Sequence, residues 1–380
     1  MTWWPLLLIA IPAAAALFFF QVHRKKRAVP KEVLLARVFG KILDGERKEV
    51  LEEMYDLYHG SGQDPGVGLA LGVLYRHLGK HQVAIRTHQS LANRSDLSAP
   101  LAALIYSELA ADFLASGLLE RARHALEKSL QLQPGDEITT RYGERVLVML
   151  KDWDAAVKLV QVYGKRRGVA VAERIGLLRY EQGSLLWEEG RREEALAAFK
   201  KAVSVHPQCL PAYLGVSRYY RHQDKATKAL NFLKKHEARF LNEPWLYFRE
   251  LMKIAKILEN HPAFLNPVHK HLETHGRDWR SRSILGTFYM DTGRYDEAAD
   301  HLFASLEIAP EVLLVHQKIW SLMLQSDTSL DIFRSYQEKV SKDLSFSNPY
   351  ECRACGFHAA GLLWLCPACH RSYSFDERKI

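Results

Sequence analysis

A small residue returns through the middle of this chain at a nearly fixed interval. Ala84, Ala122, Ala156, Ala195, Ala229 and Ala298 are separated by 38, 34, 39, 34 and 69 residues, the last gap being about two periods. Self-similarity at this spacing marks a stack of repeated supersecondary units. Other residues keep station with the alanines. Leu71-Gly72 precede Tyr75, Gly79 and Ala84; Gly183 precedes Gly190 and the run Arg191-Arg192-Glu193-Glu194-Ala195. Leu285-Gly286 precede Tyr289 and the run Gly293-Arg294-Tyr295-Asp296-Glu297-Ala298, and Pro134, Pro207 and Pro310 close three of the units. The residue types follow from packing. A small residue lets two helices approach, Tyr75, Phe113, Tyr220 and Tyr289 fill the gap beside it, and Gly79, Gly117, Gly190 and Gly293 permit the turn between helices. Each helix pair leaves an apolar face uncovered until the next pair stacks on it.

A period near 34 is that of the tetratricopeptide repeat. The expected fold is therefore all-α, a tetratricopeptide-repeat superhelix over residues 33–340. Pro30 to His59 reads as a degenerate first repeat, and Trp245 to His275 as a divergent unit inside the long gap. The lengthened intervals near Arg94 to Pro100 and Lys165 to Ala172 are expected to carry longer interhelical loops. Such solenoids usually bind peptides along the surface lined by the first helix of each pair. Phasing the pattern places Arg76, Tyr180, Trp187, Arg218, Arg221 and Arg280 there, as candidate partner-binding residues of the types that carry interface energy. The alternative is that they are solvated or packed between helices. Cys209 stands alone and reads as a small buried residue.

The two ends differ from the middle. Trp3 to Phe20 contains no charged residue, and at the helical rise its length is about 27 Å, enough for one membrane span. Trp3 and Trp4 suit an interface, and Arg24 to Arg27 follow the far end, so the body is expected on the cytoplasmic side. Ala13 to Ala16 offer a signal-peptidase site, but a signal peptide carries its positive charge before the apolar stretch rather than after it. Residues 1–22 are thus assigned as a single-pass transmembrane anchor and 23–32 as a basic juxtamembrane linker. Of the net charge of +8, five come from Arg24, Lys25, Lys26, Arg27 and Lys31. The remaining body is mildly basic, which argues against a nucleic-acid partner.

At the C-terminus, Cys352-Arg353-Ala354-Cys355 and Cys366-Pro367-Ala368-Cys369 form two CxxC knuckles with ten residues between them. Paired knuckles in a reducing compartment read as four thiolate ligands to one metal ion, with Gly356 turning the chain after the first. Residues 348–376 are assigned as a small rubredoxin-like or zinc-ribbon module, with Phe357, Leu362 and Trp364 packing beside the metal. Zinc in a structural role is favoured over iron, although four thiolates accept either. No Gly-rich phosphate loop, G-x-S-x-G or H-E-x-x-H occurs, and no histidine pairs with a nearby acid at a trustworthy spacing, so the chain is not expected to be an enzyme.

The order of these parts resembles the lipopolysaccharide assembly protein B family of Gram-negative bacteria. The resemblance spans nearly the whole chain. It is most specific in Leu69-Ala70-Leu71-Gly72-Val73-Leu74-Tyr75-Arg76, in Ala84-Ile85-Arg86-Thr87-His88-Gln89, and in the CxxCGF and WxCPxC stretches of the metal module. It implies an inner-membrane adaptor that regulates lipopolysaccharide synthesis by bringing the lipid A deacetylase to the membrane-bound AAA+ protease FtsH. It also implies a metal module that packs on the repeats, with Cys352, Cys355, Cys366 and Cys369 as ligands. Homodimerisation is open. Two other readings are a rubredoxin-like iron electron-transfer protein and a general tetratricopeptide-repeat assembly scaffold. A nucleic-acid-binding ribbon has only Arg353, His370 and Arg371 in its local support.

Overall fold

The computed structural model describes residues 47–309, 311–325 and 348–377. The expected anchor, the basic linker and the start of the degenerate first repeat lie outside the described residues, as do 326–347. Among the described residues no helix is long and apolar enough to cross a membrane.

Sixteen α-helices and a three-stranded sheet make up the described chain. In order the helices are α1 (Arg47–Gly60), α2 (Pro65–His77), α3 (His81–Ala92), α4 (Ala99–Ala115), α5 (Leu119–Leu132), α6 (Glu137–Met149), α7 (Trp153–Arg167) and α8 (Ala172–Glu188). They continue as α9 (Arg192–Val205), α10 (Leu210–His222), α11 (Ala226–Lys235), α12 (Pro244–Ile257), α13 (Pro262–Thr274), α14 (Trp279–Asp291), α15 (Tyr295–Ile308) and α16 (Leu313–Gln325). The chain forms two compact units, Met1–Val146 and Leu147–Ile380, whose boundary in sequence falls inside α6. Helices α1 to α5 belong to the first unit. Helices α7 to α16 and the sheet belong to the second.

One turn recurs through the repeats. At Gly79 the amide donates to the Arg76 carbonyl while the next amide, Lys80, donates to Tyr75. The same two bonds form at Gly117, Lys151, Gly190, Asp224, Glu259 and Gly293, and all seven residues have positive φ, from 50° to 82°. This left-handed closure uses up orphan carbonyls at the helix end, and glycine adopts it without a Cβ penalty. Five residues beyond six of these turns stand the periodic alanines, and every one is 0% exposed. Opposite them the first helix also needs a small residue. A Cβ on Gly286 would lie 2.8 Å from the Leu302 side chain and 3.1 Å from the Ala298 carbonyl. Phe199, 2% exposed, fills the space that Gly183 and Gly215 leave on its two sides.

The divergent unit is α12–α13. Its turn residue is Glu259, and Phe264 takes the place of the periodic alanine while remaining 0% exposed.

The expectation of longer loops at the two stretched intervals holds at the first, where six residues separate α3 from α4 against four between α5 and α6, and needs correction at the second. Most of the extra length is helix. Helices α4 and α8 each have 17 residues, against 13 in α6, α10 and α14. One added turn on the first helix conserves the hairpin's packing, whereas a long loop would leave backbone groups without partners. Gly168, with φ of 66°, ends α7 sharply, so only four residues separate it from α8.

The C-terminal sheet is antiparallel with order β2-β1-β3, built from β1 (Tyr350–Cys352), β2 (His358–Ala359) and β3 (Phe375–Glu377). Tyr350 pairs with Ala359 on one side and Glu377 on the other. Its core consists of Tyr350, Cys352, Ala359, Cys366 and Phe375.

Candidate metal centre and repeat surface

Cys352 ends β1, and its carbonyl accepts from the Gly356 amide at 2.9 Å while its own amide donates to Phe357. The second knuckle repeats this turn. The His370 amide donates to the Cys366 carbonyl at 2.8 Å, and Cys366 donates to Arg371. Gly356 and His370 hold the corresponding positive φ of 72° and 55°, so each turn folds back and directs two sulfurs to one point. The four sulfurs lie within 4.8 Å of one another. Cys352 and Cys369 are 3.6 Å apart, as are Cys355 and Cys366. Thiolates bound tetrahedrally at about 2.3 Å stand about 3.8 Å apart, so the geometry fits one ion.

Charge leads to the same conclusion. Burial pushes the Cys352 thiol up, but the Ser374 hydroxyl and the knuckle amides outweigh it and bring the thiol down to about 6. Burial and the neighbouring sulfurs push Cys369 up to about 12. Four adjacent sulfurs resist sharing negative charge unless a cation stands between them.

The module is held against the repeats by two kinds of contact. Leu362 and Trp364 pack on the apolar cluster containing Leu246, Phe248 and Phe288, and Trp364 and Tyr373 pack on the one containing Trp187, Phe199 and Cys209. Arg280 on α14 forms a two-pronged pair with Glu377 on β3, Nε to Oε1 being 2.9 Å. The expected metal-side packing of Trp364 and Phe357 is therefore corrected. Trp364 lies between module and repeats, because a large ring buries more area there than a unit of this size can offer. Phe357 is 38% exposed and meets Phe375 edge-on. Cys209 is fully buried, which pushes its thiol up to about 12.

The other surface candidates fall into distinct settings. Arg76 is nearly buried, donating to Asp112 Oδ1 at 2.7 Å and pairing with Glu108. Asp112 Oδ2 lies 2.5 Å from His88 Nδ1, while His88 Nε2 faces the Leu69 carbonyl at 3.1 Å. This network joins the two stretches that carry the family resemblance in the first repeats. Tyr180 packs on Phe199 at 5.8 Å between ring centres. Arg221 donates to Glu250 at 2.8 Å, and that buried carboxylate also accepts from Ser217. Trp187 is buried beneath Arg192 and Arg218, whose guanidinium carbons lie 4.1 and 4.4 Å from its ring centre.

Sequence reading missed Arg192, the acids Glu108, Asp112, Glu250 and Glu377, and the histidine–carboxylate contacts of His88 and His271. A signal existed. Arg76–Asp112, Arg221–Glu250, Lys151–Glu189 and Lys256–Asp291 join a base to an acid 36, 29, 38 and 35 residues later, about one repeat.

Comparison with known proteins agrees with this architecture. Residues 350–377 match the rubredoxin metal binding domain model, and residues 180–240 and 281–314 match tetratricopeptide repeat models. Lipopolysaccharide assembly protein B of Haemophilus influenzae is 23% identical over 80% of this chain and 76% of its own. The protein of that name from Escherichia coli K12 is 21% identical over 96% of this chain and 95% of its own. Among solved structures, the tetratricopeptide protein YrrB is 18% identical over 51% of this chain and 95% of that chain, with a TM-score of 0.34. MamA is 18% identical over 47% and 93%, with a TM-score of 0.33. The chain is thus an all-α tetratricopeptide-repeat protein with a C-terminal rubredoxin-type metal module, and a relative of lipopolysaccharide assembly protein B.

Proposed function

We propose that this protein is a non-enzymatic adaptor in lipopolysaccharide assembly, tethered to the bacterial inner membrane with its body on the cytoplasmic side. The observation that carries the reading is the order of parts. Repeats followed by a rubredoxin-type module match relatives named for lipopolysaccharide assembly over most of their length. In finer detail, the repeats present the lipid A deacetylase to the membrane protease FtsH. Residues 1–22 form the anchor, and the tether acts by raising effective concentration at the membrane surface. Cys352, Cys355, Cys366 and Cys369 hold one metal ion, zinc before iron, whose task is to keep the module folded. The partner surface is drawn from the first helices of the hairpins, where Arg218 is the candidate that enters no hydrogen bond or ion pair among the described residues, lying over the buried Trp187, while Arg221 is paired to Glu250. Arg76 contributes by bracing the first helices of its own unit, Arg280 by holding the metal module, and Tyr180 by packing on Phe199.

The test is deletion of residues 1–22. It should abolish regulation of lipopolysaccharide synthesis while leaving a folded, soluble body. Unchanged regulation would count against the tether. An iron electron-transfer role predicts red protein with reversible reduction, and colourless protein with one zinc per chain would remove it.

A further inference from the structure

The last turns of α8, α10 and α12 and the first residue of α9 meet around a pocket of about 320 Å³ lined by Trp187, Arg192, Arg218, Arg221, His222 and Ile257. We propose that this pocket binds a carboxylate carried by an acidic peptide segment of a partner protein, with Ile257 receiving an adjoining apolar side chain. The proposal rests on the adaptor reading and specifies the ligand its surface would take.

Three guanidinium groups line the pocket, and no acid does. Arg192 and Arg218 lie over the Trp187 ring, which fixes their position without using their N–H donors. Arg192 Nη1 is buried and has no hydrogen-bond partner. A buried donor left unmade costs free energy that a ligand would recover. Arg218 enters no hydrogen bond or ion pair among the described residues, and the exposed Glu188 acts on it only at longer range. Arg221 is paired through Nε to Glu250, but that carboxylate is buried and shared with Ser217 and Lys253. Burial first, then Arg192 and Arg221, press the Arg218 charge downward in pKa, as expected of a cation cluster short of an anion.

Basic side chains gather at helix C-termini for a simpler reason, since they satisfy the last carbonyls. None of these three donates to such a carbonyl among the described residues. The same helix ends help choose the ligand. Phosphate sites usually offer helix N-termini and backbone amides; here one N-terminus, that of α9 at Arg192, stands against three C-termini, of α8, α10 and α12, that present partial negative charge. A dianion is disfavoured more than a singly charged carboxylate, whose planar edge matches the guanidinium fork. Ile257 is 53% exposed beside the charges, which suits a peptide carrying acidic and apolar residues in sequence.

The experiment uses the full-length chain in detergent. Labelled octapeptides with two acidic residues beside a leucine are titrated by fluorescence anisotropy. Their amide counterparts, with Gln and Asn, serve as controls, and phosphatidylglycerol vesicles as competitors. The acidic peptides should bind, the amide forms should not, and Arg192→Gln and Arg218→Gln should each weaken binding about tenfold. Circular dichroism confirms that both variants stay folded. The proposal is overturned if no acidic peptide binds, if the amide forms bind equally, if both variants bind as the wild type does, or if vesicles alone engage the arginines. Partner recovery from membranes separates the two readings. Equal recovery by wild type and the double variant removes this pocket but keeps the adaptor. No recovery by wild type removes the adaptor.

Discussion

Truncation of Arg280 should loosen the metal module without unfolding the repeats. The arginine side chain is 32% exposed and its partner Glu377 only 8%. Exposed ion pairs contribute about 0.2–1 kcal/mol, whereas hydrogen bonds to charged groups shielded from water contribute about 1.5–3 kcal/mol. A two-pronged pair with one partner buried and the other a third open falls near 2 kcal/mol, a factor of about 30 in the docking equilibrium. Arg280→Ala leaves Glu377 mostly buried without a partner, so it should cost more than the double variant Arg280→Ala, Glu377→Ala. Amide hydrogen exchange on the full chain reads this out. Exchange in β1 and β3 should quicken about 30-fold or more in Arg280→Ala and partly recover in the double variant, while α8 to α11 stay protected. The exposed pair Arg94–Asp96, with side chains 29% and 62% exposed, supplies the control and should change little. Unchanged exchange in β3, or strictly additive single variants, would refute the reasoning and leave the apolar contacts of Leu362, Trp364 and Tyr373 as the attachment.

Three further outcomes follow from particular residues. Cys366→Ser should abolish metal binding, measured by elemental analysis, and unfold the terminal module while the repeats keep their helical circular dichroism. Glu259→Gly should stabilise the chain by about 0.5–1 kcal/mol in chemical denaturation, because Glu259 holds a φ of 50° that glycine adopts freely. Glu181 is raised to about 7 by burial and by Glu188. Its stabilising contribution is present below the ordinary carboxylate range, near 4, and is lost as pH rises through 7, since the charged form is then buried. Glu181→Gln should therefore stabilise by on the order of 3 kcal/mol at pH 8 and change little at pH 4, as followed by thermal melts.

Much of the fold was legible because the repeat constrains residue size at fixed stations. The six alanines read from the sequence are the fully buried crossing points, and the four glycines read as turns take the left-handed conformation. The α12–α13 unit escaped because Phe264 stands where alanine marks the others and Glu259 where glycine marks four of them; the turns at Lys151 and Asp224 lack glycine too, but Ala156 and Ala229 mark those units. The chain solves the same turn there with a strained residue and the same crossing with a wider one. The four cysteines were legible because metal geometry fixes their spacing. The surface was less so. Arg76, Arg221 and Arg280 have the composition of an interface, yet their partners Asp112, Glu250 and Glu377 lie 36, 29 and 97 residues away and become neighbours only on folding. Trp364 reads as metal packing from its proximity to Cys366, but a side chain two residues from a ligand can face away from it.

The adaptor reading stands or falls on partners. Full-length protein carrying an affinity tag, solubilised from native membranes and purified under mild detergent, should bring down a membrane protease together with a lipid A biosynthetic enzyme, identified by mass spectrometry. Recovery of neither, from membranes in which both are present and the tagged protein supports normal lipopolysaccharide levels, would contradict it.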